Sequence, residues 1–279
     1  MTSRASRLLV FDSGTGGLGI TAALRTHLPQ ARIDYLADTA LFPYGDQPDE
    51  RLILHIVALL RAAVTEFAPD AVVVACNTAS TLALSALRAA LPGTPFAGCV
   101  PPVRWAARLS RTRVIGLLAT PATVRRPYVA ELQATYAPDC HLVACGARHL
   151  AALAEQAFRH QPVSREAVSA ELEGLFAQPG GERIDVVGLG CTHYPFLLPL
   201  FRELSPRPEI LWLDPADAVA RRTAEILPPL HGTDGAEEPD RYMTTSPHGT
   251  DAALLAALPA YGFRTAMLWQ PRTAEAVLS

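Results

Sequence analysis

The sequence predicts an α/β protein of two similar lobes, each a mainly parallel sheet flanked by helices, with an active site in the cleft between them. Three observations lead to that class. Short apolar runs alternate with amphipathic stretches, the rhythm of βαβ units. The runs are continuous in Val, Leu and Ile, as expected of strands covered on both faces. Finally, the first half echoes in the second. "LLVFDSGTGG" (8–17) can be laid on "IGLLATPATV" (115–124), and "DAVVVACNT" (70–78) on "DVVGLGCTH" (185–193), at offsets of 107 and 115 residues. The overlay pairs Ser13 with Thr120, Gly16 with Thr123 and Cys76 with Cys191.

Taken in chain order, strands are expected at "RLLVF" (7–11), "ARIDYLA" (31–37) and "DAVVVA" (70–75), then at "RVIGLLA" (113–119), "CHLVA" (140–144), "IDVVGLG" (184–190) and "EILWLD" (209–214). Helices are expected over 50–67 and 163–177. The most apolar long stretch, "RLILHIVALLRAAV" (51–64), repeats its apolar residues at helical spacing and contains His55 and Arg61, so it reads as an amphipathic core helix that spans no bilayer. Pro-rich "PGTPFAGCVPPV" (92–103) reads as the crossing between lobes. Beyond "ILWLDPADAVA" (210–220) come a Gly, Pro and acid-rich loop (228–241), then "YMTTS" (242–246) and strand-like "RTAMLW" (264–269). This tail is too short for a third domain and is expected to return to the first sheet. The expected domains are 1–99 with 214–279, and 100–213.

At 279 residues there is room for two domains with substantial cores. A net charge of -3 from scattered acids and bases carries no footprint of nucleic-acid binding and favours no membrane surface. All 24 basic residues are arginine. Without lysine there is no Schiff base, so an internal aldimine to pyridoxal phosphate is excluded. Five cysteines, an odd number spread over a long chain, do not form a disulfide framework. The opening "MTSRASRLLVF" has too short an apolar stretch for a signal peptide, so a reducing cytoplasm is the expected location.

The chemistry concentrates at strand ends. In open parallel sheets ligands gather at the carboxyl edge, where loops and helix N-termini present backbone N–H groups. Cys76 and Cys191 both follow such strands, and two lobes across a cleft would present them from opposite sides of one small molecule. A thiol on each face suits stereoinversion at carbon: one base removes a proton from one face while a conjugate acid supplies another from the other face. Thiols fit because their ordinary pKa, about 8.5, lets one be ionised while the other stays protonated. Asp12, at the end of the first strand, and His193, two residues past Cys191, are candidates to tune them. "SGTGG" (13–17) supplies backbone N–H groups and a hydroxyl suited to a carboxylate or phosphate.

Other readings compete. A single strand-end cysteine is more often a small buried hydrophobe, but its duplication, with "NTAS" and "TH" following, favours a pair with a task. "GTGGLG" (14–19) satisfies G-x-G-x-x-G, and Asp38 follows the next strand as in a dinucleotide site. Against that, Asp12 and Ser13 stand before the first glycine, where a carboxylate would repel pyrophosphate. Cys140, His141, Cys145 and His149 cluster without metal-ligand spacing, so no metal is expected. Cys191 and His193 as a hydrolytic nucleophile and base would leave Cys76 idle.

With these residues assembled, the sequence resembles the glutamate racemases of the aspartate/glutamate racemase superfamily. "FDSGTGG", "DTALFPYG", "ACNTAS" and "GLGCTHYP" carry the resemblance, supported by "GLLATPATV" and "LWLDPADAVA", in the family's order over nearly the whole chain. Aspartate and hydantoin racemases share the cysteine pair but match the first and last of these motifs less well. The resemblance implies a cofactor-independent amino-acid racemase that interconverts L- and D-glutamate and supplies D-glutamate for peptidoglycan. It implies Cys76 as the base for the D enantiomer, assisted by Asp12, and Cys191 as the base for the L enantiomer, assisted by His193. The implied substrate contacts are Asp12, Ser13, Pro43, Tyr44, Gly45, Asn77, Thr78, Thr120, Thr123, Thr192 and His193. The implied partner is the small substrate glutamate, with a homodimer compatible; another acidic amino acid such as aspartate is the alternative substrate.

The chain also departs from the family pattern. Ala119 and Ala122 stand where glycines are usual, so a tighter or altered backbone approach is expected there. "ACGARHLAALAE" lacks the proline after its cysteine and carries Glu155 two residues late, which puts that acid's role in question. Gln47 replaces a basic residue that often follows "PYG".

Overall fold

The computed structural model describes residues 5–228, 239–247 and 250–271. Most of the acid-rich loop 228–241 lies outside them. The described residues form two compact units: one runs up to Cys99 and resumes at Ala216, and the other is Val100–Pro215.

The first unit opens with β1 (Arg7–Asp12), α1 (Leu18–His27), β2 (Arg32–Ala37), α2 (Asp49–Phe67), β3 (Ala71–Val74), α3 (Asn77–Ala90) and β4 (Phe96–Gly98). After Ala216 it adds α10 (Ala216–Ile226), β9 (Arg241–Thr244), α11 (Ala252–Ala257) and β10 (Ala266–Leu268). Its sheet has the order β10-β9-β2-β1-β3-β4, parallel throughout. The Pro-rich stretch 92–103, read as the crossing between lobes, does hold the boundary between the units at Cys99 and Val100, and it also holds a strand not expected there, β4. Only three residues long between Pro95 and Cys99, it is too short to show a period, and tertiary pairing with β3 makes it a strand.

Both faces of β1 are buried, which is why its apolar run is unbroken. The helix α2 lays Leu52, Ile56, Leu59, Leu60, Ala63 and Phe67 against the sheet at helical spacing. It stops where Ala68 turns left-handed (φ 45°) ahead of Pro69. The returning segment is anchored by a two-pronged ion pair, Arg241 Nε and Nη2 on Asp34 Oδ1 and Oδ2 at 2.7 and 2.6 Å, with Asp34 fully buried.

The second unit runs α4 (Val103–Leu109), β5 (Val114–Ala119), α5 (Pro121–Val124), α6 (Pro127–Tyr136), β6 (His141–Gly146), α7 (Leu150–Phe158), α8 (Arg165–Phe176), β7 (Val186–Gly190), α9 (Leu198–Leu204) and β8 (Leu211–Leu213). Its parallel sheet has the order β6-β5-β7-β8, which repeats β2-β1-β3-β4 of the first. The register repeats too. The two offsets found in the sequence carry the pair Leu8↔Ala71 onto Ile115↔Val186. The echo is therefore a structural repeat of similar lobes.

The aspartates that stand six residues before Cys76 and Cys191 also have equivalent tasks. Asp70 Oδ2 accepts from the Arg7 backbone N–H at 2.8 Å, at the entrance to β1. Asp185 Oδ2 accepts from the N–H groups of Arg111 and Thr112 at 2.7 and 3.1 Å, before β5. Both tie down the amino ends of the sheets, opposite the cysteines. Partial burial pushes the Asp185 carboxyl up, but the hydrogen bonds from Ser110, Thr112 and Arg111 outweigh it and hold it below the usual carboxylate value. Its stabilising contribution is therefore present above the unfolded value of about 3.9 and lost as pH falls through the lower folded one. The stability gap between wild type and Asp185→Ala, read from urea midpoints, is expected to be full at neutral pH and to close below pH about 4.

Candidate active site

In the first unit the chemistry gathers past the carboxyl ends of β1, β2 and β3. Asp12 is the last residue of β1 and fully buried, and its Oδ1 accepts from Gly14 N–H at 2.8 Å, folding "DSGTGG" into a tight turn. Tyr35 Oη donates to Gly14 carbonyl at 2.8 Å and holds the turn from β2. The turn depends on Gly17. A Cβ there would lie 2.8 Å from Tyr35 Oη and 2.9 Å from Ala75 Cβ. Gly17→Ala is expected to cost about 1–3 kcal/mol in urea unfolding, since neither neighbour is the free end of a flexible chain.

Cys76 lies two residues beyond β3 and immediately before α3, with 6 % of its surface exposed. Ser13 Oγ is 3.8 Å from its sulfur. The positive end of the α3 dipole begins next to it, an arrangement that favours an anion. Asn77 and Thr78 form the first turn of α3 and are buried. The Asn77 Nδ2 donates to Cys99 Sγ at 3.2 Å, while its Oδ1 is buried with no hydrogen-bond partner. An amide oxygen so placed suits a donor such as a substrate ammonium.

The loop after β2 carries Pro43, Tyr44 and Gly45. Tyr44 is buried and its hydroxyl donates to Asp38 Oδ2 at 2.5 Å. Burial above all, then the Asp38 carboxylate with its hydrogen bond, then the charges of Cys76 and Asp12, hold this phenol well above its ordinary pKa, so it stays a donor. Asp38 is a hub: His55 Nε2 lies 2.7 Å from the same Oδ2, and Thr245 Oγ1 donates to Oδ1 at 2.7 Å. Both carboxylate oxygens thus have protein partners and Asp38 is fully buried, which argues against its binding a ribose and against the dinucleotide reading.

In the second unit the corresponding groups lie past β5 and β7. Thr120 caps α5: its Oγ1 accepts from Thr123 N–H at 3.2 Å and pairs with Thr123 Oγ1 at 3.0 Å. Ala119, where the family pattern has glycine, is accommodated by Gly190, since a Cβ at 190 would lie 2.7 Å from the Ala119 methyl. Gln47, in the first unit, turns its amide to the Leu41 carbonyl at 3.3 Å.

Cys191 directly follows β7 and is 7 % exposed, with Thr192 and His193 buried behind it. His193 Nδ1 is 3.9 Å from Cys191 Sγ, and Nε2 is 2.9 Å from Glu155 Oε1. Glu155 does reach His193, despite its late position in the sequence. The helix α7 places it facing the turn that follows Cys191, a relation no spacing reveals. Tyr194, also buried, donates from its hydroxyl to Ala147 carbonyl at 3.1 Å. Burial and then the Cys191 charge raise its pKa well above the ordinary value.

Each unit therefore gathers its own half of the expected residues: Asp12, Ser13, Pro43, Tyr44, Gly45, Cys76, Asn77 and Thr78 in one, Thr120, Thr123, Cys191, Thr192 and His193 in the other. Sequence reasoning missed the anchoring roles of Asp38, His55 and Thr245. His55 breaking the apolar run of α2 was the available signal. Cys140, His141, Cys145 and His149 make separate contacts, to Asp139, the Pro179 carbonyl, the Glu171 carbonyl and the Glu171 carboxylate. Among the described residues no group of three or more His, Cys, Asp or Glu is placed to hold a metal ion, and no helix is long and apolar enough to cross a membrane.

Comparison with known proteins adds the family. Residues 19–223 match the Asp/Glu/Hydantoin racemase family. Glutamate racemase from Granulibacter bethesdensis is 54% identical over 226 residues, covering 81% of this chain and 80% of that protein. The Mesorhizobium japonicum glutamate racemase is 43% identical over 255 residues, covering 91% and 97%. Among solved structures, Escherichia coli glutamate racemase in complex with L-glutamate and the activator UDP-MurNAc-ala superimposes with a TM-score of 0.86 at 34% identity, covering 95% of this chain and 98% of that one. Fold, motifs and these likenesses converge: the chain belongs to the Asp/Glu/hydantoin racemase family and, within it, to the glutamate racemases.

Proposed function

We propose that this racemase interconverts L- and D-glutamate without a cofactor, by a 1,1-proton transfer in which Cys76 and Cys191 serve opposite faces of one α-carbon. The observation that carries the reading is the repeat. Four strands of one sheet and the four of the other share their order and the register of the central pair, and each unit places a nearly buried cysteine just past its β3-type strand, beside a hydroxyl in one unit and an imidazole in the other. A repeated fold with a thiol at the equivalent place in each copy matches the chemistry of a substrate whose two enantiomers differ only in which face holds the proton.

In the D-to-L direction Cys76 takes the α-proton as a thiolate, and the Cys191 thiol delivers another to the opposite face; the return reaction exchanges the roles. The α3 N-terminus beside Cys76 favours its anionic form. Asp12 assists Cys76, and His193 relays charge at Cys191. Ser13, Pro43, Tyr44, Gly45, Asn77, Thr78, Thr120, Thr123 and Thr192 bind the substrate's carboxylates and ammonium through hydroxyl, amide and backbone groups. The product D-glutamate serves peptidoglycan synthesis, and the enzyme works in the cytoplasm, with a homodimer compatible with the family. The 54% identity to a glutamate racemase favours glutamate over aspartate as substrate.

The deciding experiment incubates each glutamate enantiomer with purified protein in deuterium oxide, without added cofactor, and follows C2 by proton NMR and chiral chromatography. Deuterium at C2 with inversion supports the reading. Inversion without exchange, or activity on aspartate alone, would overturn it.

A further inference from the structure

We infer that Arg159 is a positioning residue for proton transfer at Cys191, acting through Glu155 and His193. The inference rests on the two-thiol reading above and adds a residue that neither the motifs nor the expected site contain.

Glu155 sits near the end of α7, and its carboxylate divides its work. Oε1 meets His193 Nε2 at 2.9 Å, and Oε2 accepts from Arg159 Nη1. The three side chains are poorly exposed, 3 % for His193, 13 % for Glu155 and 16 % for Arg159, so the pairs are little screened by solvent. Arg159 caps α7 four residues beyond Glu155, the spacing that brings its guanidinium onto that carboxylate. Beside it the Phe158 and Phe196 rings pack 5.1 Å apart, joining the end of α7 to the turn after His193.

The terminal torsion of a glutamate is broad, so a carboxylate held by one oxygen swings. A planar guanidinium on the second oxygen removes that freedom. Oε1 then accepts steadily from the N–H at Nε2 of His193. In a neutral imidazole that assignment leaves Nδ1 as the acceptor, and Nδ1 is the nitrogen 3.9 Å from Cys191 Sγ. Arg159 thus selects which face of the ring chemistry is offered to the thiol while touching neither sulfur nor substrate. At Cys76 the described neighbour is the Ser13 hydroxyl, which has no tautomer to select.

The test is a double-mutant cycle on the full chain with Arg159→Gln, Arg159→Lys, Glu155→Gln and the pairs. Arg159→Gln is expected to lower kcat for glutamate roughly ten-fold, with KM held within about two-fold. Arg159→Lys is expected to recover part of the loss by keeping the charge, and Arg159→Gln to cost nothing further when Glu155 is already Gln. Wild-type kcat in Arg159→Gln, or a full additional loss in the Glu155→Gln background, would overturn the inference. Should Arg159→Gln fail to fold, the cycle is run with Arg159→Met, which also removes the charge, against Glu155→Gln, where the same two outcomes decide. A wild-type enzyme that does not racemise glutamate, or a Cys191→Ser variant at full turnover, would refute the two-thiol reading instead, independently of how Arg159 behaves.

Discussion

Replacing either Cys76 or Cys191 by serine is expected to lower kcat/KM for racemisation by about a thousand-fold or more, since each removes a positioned acid–base group that a barely acidic hydroxyl cannot replace. The loss must be equal in the L-to-D and D-to-L directions. Enantiomers have the same free energy in water, so the ratio of the two kcat/KM values is pinned by an equilibrium constant of one, whichever thiol is removed. The sidedness appears elsewhere. Residual exchange of the α-hydrogen with deuterium oxide, without inversion, is expected only on L-glutamate in Cys76→Ser and only on D-glutamate in Cys191→Ser. Exchange of the opposite enantiomer would reverse the assignment of faces, and a single variant with wild-type racemisation would remove the mechanism altogether.

The second large effect is expected at Asp38. Asp38→Ala deprives the Tyr44 hydroxyl, His55 Nε2 and Thr245 Oγ1 of their acceptor in one step. The buried Tyr44 hydroxyl loses most; His55 is about a third exposed and recovers water. The expected cost is about 3 kcal/mol in urea unfolding. Because Tyr44 carries the Pro43–Gly45 loop, its displacement is also expected to reduce kcat/KM about a hundred-fold. Tyr44→Phe separates the two effects. It removes one hydrogen bond, leaves the ring in place, and is expected to cost about 1 kcal/mol. An Asp38→Ala protein with unchanged midpoint and unchanged turnover would show that the loop is held by its packing alone.

Much of this molecule was legible before any fold was drawn, and the reason is local. The strands of Val, Leu and Ile announce themselves because a strand buried on both faces tolerates little else, and the amphipathic period of α2 needs only its own residues to be seen. The echo at two offsets predicted like sheets because register follows from the side-chain pattern. The motif cysteines and the "SGTGG" loop were visible for the same reason: each stands out within a few residues of itself in sequence.

What the tertiary structure alone decided involves partners far apart along the chain. Three residues at Phe96–Gly98 are a strand only because β3 offers its edge. Asp38, which by its place after β2 only offered a formal match to a dinucleotide site, is a buried anchor because α2 and the returning segment bring His55 and Thr245 to it. Glu155, two residues late by its motif, still meets His193 because a helix presents faces, and a face is reached by rotation about the axis as well as by count. Sequence determines which groups a segment can offer; packing at distances set by the whole fold determines which of them meet.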